Sequence, residues 1–168
     1  MPIQLAWSVD KDDDFDVRDF ASRLLEGAKE NLERDGELAS VAFVATNTHL
    51  QCYAVTFGDH EEKEAAYREL VSAARAADAI ALVTCNDAYW TNRADAEYIE
   101  GYYPGKLATE NARECIMVAV SGPAIETWCV EVPYERSGKA IQFGEHSEFT
   151  GKQLGFLEGW SSEKPRIQ

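Results

Sequence analysis

Asp10, Asp12 and Asp14 stand at alternate positions in the run Asp10-Lys11-Asp12-Asp13-Asp14-Phe15-Asp16. That is the spacing of the first three ligands of a calcium loop. Such a loop also needs glycine at its sixth position and glutamate at its twelfth, where this chain has Phe15 and Ala21. The run reads instead as a solvated acidic stretch that primes a helix, since carboxylates at a helix start meet the positive end of its dipole. Cys85-Asn86-Asp87 closes an apolar stretch. A thiol beside an amide and a carboxylate is half of a Cys-His nucleophilic set. The base would have to be His49, His60 or His146, and no spacing brings any of them near. The competing reading is a buried thiol followed by an Asn-Asp turn.

Glu131, Glu135 and Lys139 surround a predicted hairpin. They lack the paired-carboxylate-and-lysine pattern of a metal-dependent nuclease, so a solvated hairpin is the simpler account. Trp90, Tyr98, Tyr102 and Tyr103 fall in or beside a predicted long loop. Aromatics there either fold back as core or form a recognition surface, because Tyr and Trp supply large contact area at small entropic cost. These four are the candidate binding residues, and no catalytic residue is assigned. The three scattered histidines make no metal spacing.

Cys52, Cys85, Cys115 and Cys129 are separated by 33, 30 and 14 residues, with no Cys-x-x-Cys pair. Each lies in an apolar, β-prone run, which suits reduced core thiols better than a zinc site. Phosphate-cradling glycine loops and a nucleophile elbow are absent from the sequence. No cofactor and no metal are expected.

The 168 residues carry 16 Lys and Arg against 30 Asp and Glu, a net charge of −14. That charge repels nucleic-acid backbones and anionic membranes, so neither is expected as a partner. The excess is −9 over residues 1–84 and −5 over 85–168, spread rather than striped. Hydrophobic residues make up 45%, enough for a folded core in one domain spanning 1–168. The N-terminal apolar stretch lacks a basic start and is short for a signal peptide, and no window has the length of a membrane helix. A cytoplasmic location is expected.

The elements follow from periodicity. Val17, Phe20, Ala21, Leu24, Ala28 and Leu32 form one helical stripe, ended by Asp35-Gly36. Residues 38–46 and 49–57 read as strands of a hairpin turning at Asn47-Thr48. Asp59 and Glu62 have capping-box spacing before a second helix with the stripe Ala66, Tyr67, Leu70, Val71, Ala74 and Ala77. Residues 79–85 read as a third strand, 91–113 as a long loop with room for a short helix over 94–99, and 114–121, 127–132 and 140–143 as three more strands. Residues 1–15 read as an acidic arm and 144–168 as a tail. The fold class is α+β, with a single mostly antiparallel five- or six-stranded sheet and two main helices. This element order resembles that of roadblock and profilin-like modules, a likeness of order that carries no residue and no function.

Residues 41–45, 79–83 and 115–120 are apolar on both faces and read as central strands, whereas 127–132 alternates and reads as half-exposed. A helix is about 10 Å wide and strands repeat about every 4.8 Å. Two helices on one face would therefore leave the other face bare. The Tyr-rich loop, the C-terminal tail or a second copy would have to cover it. The expectation is a self-associating interaction module, a homodimer or a complex with a protein partner, leaning away from catalysis. The alternatives are a small hydrolase with a pocket near the end of the third strand, or an acidic inhibitor that mimics nucleic acid.

Overall fold

The computed structural model describes residues 2–90 and 113–150. In chain order the elements are β1 (Ile3–Asp10), α1 (Val17–Asp35), β2 (Val41–Ala45), β3 (His49–Val55), α2 (His60–Ala76), β4 (Ala81–Trp90), β5 (Arg113–Gly122), β6 (Ile125–Ser137), β7 (Ala140–Phe143) and β8 (Ser147–Thr150). All the strands join one antiparallel sheet in the order β1-β3-β2-β4-β5-β6-β7, and β8 continues the β7 edge along the first half of β6.

Both helices start and stop where side-chain chemistry says they should. The Asp16 carboxylate accepts from the Asp19 N–H at 2.9 Å, and Gly36 ends α1 at φ 75°, donating its N–H to the Leu32 carbonyl. Asp59 caps α2 by accepting from the Glu62 N–H at 2.8 Å, while the Glu62 carboxylate reaches back to the Gly58 N–H. Asp78 closes α2 in the left-handed region, φ 52°, a conformation aspartate tolerates.

The helices lie on opposite faces. Ala21, Leu25, Ala28 and Leu32 of α1 join Phe43, Val83, Cys85, Ile116, Val118 and Val130 in one core. Ala66, Tyr67, Leu70, Val71 and Ala74 of α2 join Ala42, Val44, Val55, Leu82 and Ala119 in the other. Burying Leu25 and Leu32 contributes roughly 1.5–3 kcal/mol each. The expectation that both helices share a face is thereby corrected, and the reason is topological. β1 and β2 run parallel, as do β3 and β4, because in each case one antiparallel strand lies between them. Each pair is joined by a helical crossover that steps the same way across the sheet. β1 and β3 point in opposite directions, so right-handed crossovers place their helices on opposite sides.

Five more expectations change. Among the described residues the sheet has eight strands rather than five or six. Within the supposed arm 1–15, Ile3–Asp10 is a strand, since its backbone finds partners along β3. Within the supposed tail 144–168, Ser147–Thr150 pairs with β6. The third strand runs on to Trp90, and Arg113 belongs to β5, because β4 and β5 pair as far as Trp90↔Arg113. β6 is buried on both faces from Thr127 to Val130 rather than half-exposed, lying inside the sheet between β5 and β8. The three strands expected to be central are β2, β4 and β5, and they are neighbours in the middle of the sheet.

Candidate functional site

β1 is where the described structure stays open. Among the described residues it ends the sheet, with β3 on one side only. Every residue from Gln4 to Asp10 is exposed. Leu5 is 50% exposed, Trp7 43% and Val9 47%, three of the four large hydrophobics left open to solvent among the described residues. No charge interrupts residues 3–9. An edge of this kind presents unpaired N–H and C=O groups together with apolar side chains, which is a template for another strand.

The strand is held rigidly enough to act as one. The Thr56 N–H donates to the Pro2 carbonyl at 2.8 Å, and the Lys11 N–H to the Thr48 carbonyl at 2.9 Å, so both ends are tied to the β3 hairpin. The register to β3 slips between Leu5 and Trp7, leaving Ala6 as an extra residue. This bulge reverses the alternation. Ile3 packs on the α2-side core, as Tyr53 opposite Leu5 does, whereas Trp7 and Val9 lie opposite Cys52 and Leu50 of the α1-side core. The Trp7 ring sits 5.9 Å from Phe43, which in turn meets Phe20 edge-on at 5.0 Å. Asp10 lies 3.5 Å from His49 across the same strand pair.

The interior polar groups form a second, closed set. On the α1 side, the Tyr134 hydroxyl donates to Asp87 at 2.8 Å, and Arg136 bridges Glu114 at 2.8 Å and the Gly36 carbonyl at 2.7 Å. Burial pushes the Asp87 carboxyl above its usual range, and the Tyr134 phenol upward as well, with its bond to Asp87 adding to the shift. On the α2 side, the Tyr67 hydroxyl donates to the fully buried Asn86 at 3.0 Å. Burial lowers the pKa of Lys63 there and raises that of Glu131. Among the described residues, no buried side-chain nitrogen or oxygen lacks a partner, and no three His, Cys, Asp or Glu residues gather as a metal site.

The sequence candidates separate accordingly. Trp90 is the last residue of β4, while Tyr98, Tyr102 and Tyr103, with the 94–99 segment, lie outside the described residues. All four cysteines are free and buried. Burial pushes the Cys85 and Cys129 thiols up to about 12 and raises Cys52 and Cys115 too, so these thiols stay protonated and inert at neutral pH. His49 hydrogen-bonds Thr48 at 2.7 Å and His146 meets Lys29 at 2.8 Å, both on the surface, and His60 opens α2. Asp16 does the capping predicted for the acidic run. Glu131 and Glu135 sit four strand residues apart, about 13 Å, with Lys139 in the next turn, so the hairpin set does not converge.

The open edge is the element that sequence reading passed over. Its signal was present, since Ile3, Leu5, Trp7 and Val9 alternate with Gln4, Ala6 and Ser8. Comparison with known protein families, with curated proteins and with solved structures gives no match. No helix among the described residues is long and apolar enough to cross a membrane.

Proposed function

We propose that the chain is a self-associating interaction module whose contact element is β1. One observation carries the reading: an eight-residue, uncharged-to-Val9 edge strand that keeps Leu5, Trp7 and Val9 about half exposed. With a helix on each face of the sheet, self-association rests on this edge rather than on a bare face. Among the described residues the thiols are buried and protonated and the interior polar side chains are paired, which supports the interaction reading over a hydrolase. Four reduced cysteines suit a cytosolic setting. The net charge of −14 argues against nucleic acid as the partner.

A strand-to-strand contact is small, below the ~1,200 Å² of a stable interface, so the dimer is weak and concentration-dependent. Light scattering coupled to size exclusion, run from ~5 to ~500 μM to bracket such an affinity, tests this. The expected mass rises from 18.7 kDa toward twice that value. Trp7→Lys places a charge on the edge and keeps the chain monomeric at all concentrations, with an unchanged far-ultraviolet circular dichroism spectrum. A wild-type mass that stays at 18.7 kDa throughout overturns the proposal.

A further inference from the structure

We infer that two copies pair β1 against β1 in one antiparallel register, Ile3 opposite Asp10 and Gln4 opposite Val9 of the second copy. The inference rests on the self-association reading and adds its geometry.

A closed two-fold contact uses the same patch on both subunits. Pairing one sheet edge with itself then turns the second strand end for end and keeps the α1-side faces of both copies on the same side of the joined sheet. Residues directly opposite across an antiparallel ladder share a face. The bulge at Ala6 makes this condition selective. Before it, Ile3 and Leu5 belong to the α2 side and Gln4 to the α1 side; after it, Trp7 and Val9 belong to the α1 side and Ser8 and Asp10 to the α2 side. The pairing Ile3↔Asp10, Gln4↔Val9 and Leu5↔Ser8 matches face to face, with Ala6 and Trp7 of the bulge meeting at its centre. Shifting by one residue sets α1-side groups opposite α2-side groups. Without the bulge, this same pairing would be mismatched at every position and a register shifted by one residue would match instead, so the irregularity in the β1–β3 ladder is what selects this register for the edge left open among the described residues.

Charge agrees with this orientation. Each copy carries the acidic run Asp10–Asp16 directly after β1. In the antiparallel pair the two Asp10 residues are seven strand residues apart, about 24 Å. That exceeds two Debye lengths at 0.1 M salt, each ~10 Å. Side-by-side parallel strands would instead bring the two runs to about 5 Å. The neutral stretch 3–9 is then all that meets at the interface.

Thiol cross-linking reads the register directly, because the four native cysteines are buried and only an introduced thiol reacts. Gln4→Cys and Val9→Cys are prepared as separate full-length variants and treated with a short bis-thiol reagent, alone and mixed. The expected result is a cross-linked dimer at least about tenfold more abundant in the mixture than in either variant alone, since directly opposite Cβ atoms lie ~5 Å apart. Both variants are first checked for concentration-dependent mass by light scattering. A dimer that cross-links through Gln4→Cys alone, or shows no preference for the mixture, overturns the register while self-association stands. Absence of a dimer in the wild-type chain overturns both.

Discussion

Among the described residues, β1 and the β7–β8 pair bound the same sheet, and their exposed backbones are treated in contrasting ways. On the far side, the edge is cut in two. β7 and β8 are four residues each, broken at 144–146, with Glu148 and His146 on the rim and Lys29 of α1 reaching His146. Short, charged, interrupted edges are poor templates for further pairing. β1 is twice as long, unbroken apart from one bulge, and uncharged to Val9. Among the described residues, the fold blunts one edge and leaves the other open. An undefended edge on an otherwise well-capped, well-packed sheet is where a contact surface belongs.

The sharpest test of that contrast sets the sheet centre against the open edge. Ile116 on β5 is fully buried, so Ile116→Ala is expected to cost about 2–5 kcal/mol in urea unfolding. Leu5→Ala, at an exposed position, should cost under about 1 kcal/mol in dilute, monomeric protein. A Leu5→Ala cost as large as that of Ile116→Ala would mean the edge is already packed against something within one chain.

Lysine at each edge comes next. Val9→Lys should weaken self-association by about 2 kcal/mol, or ~30-fold in Kd by sedimentation equilibrium. Gln142→Lys, exposed on β7, should leave Kd within about twofold. Equal losses at both positions would erase the distinction between the edges. Gly138, at φ 62° in the β6–β7 turn, holds the blunted edge in register. Gly138→Ala is expected to lower stability by about 1 kcal/mol in thermal melts and to leave the dimer intact.

The smallest effect is pH-dependent. Burial raises the Glu131 carboxyl, which lies opposite Ser147 of β8. A raised carboxyl pKa in the folded state means its favourable contribution is complete below the ordinary carboxylate range and is lost as pH rises through the folded value. Glu131→Gln should therefore raise the melting temperature at pH 7–8 and change it little near pH 4. The gain is at most about 1 kcal/mol, because the side chain is partly solvated. A gain equal at both pH values would remove titration as its cause.

Much of the fold was legible locally. The Asp59–Glu62 capping spacing, Gly36 after the first stripe, the Asn47-Thr48 turn and the doubly apolar runs of β2, β4 and β5 each depend on neighbours a few residues away. Leu25 is buried beside the expected α1 stripe, while Leu24 is half-buried against the same core, so the apolar face is wider than the chosen spacing of residues. Gly122 ends β5 for a reason no sequence window contains: a Cβ there would collide with the Ile80 carbonyl. The candidate site was legible only as an alternation in residues 3–9, and its bulge and exposure depend on a partner strand more than forty residues later.

By itself the sequence determined the acidic, α+β character of the chain, its two helices with their caps, and which strands would be central, because these follow from periodicities and side-chain chemistry within short windows. The tertiary structure decided that β1 joins the sheet, that it does so at an edge, and that the helices part to opposite faces. Those outcomes turn on strand direction and order, and a right-handed crossover lands on one side or the other only once the strand it leaves has found its partner.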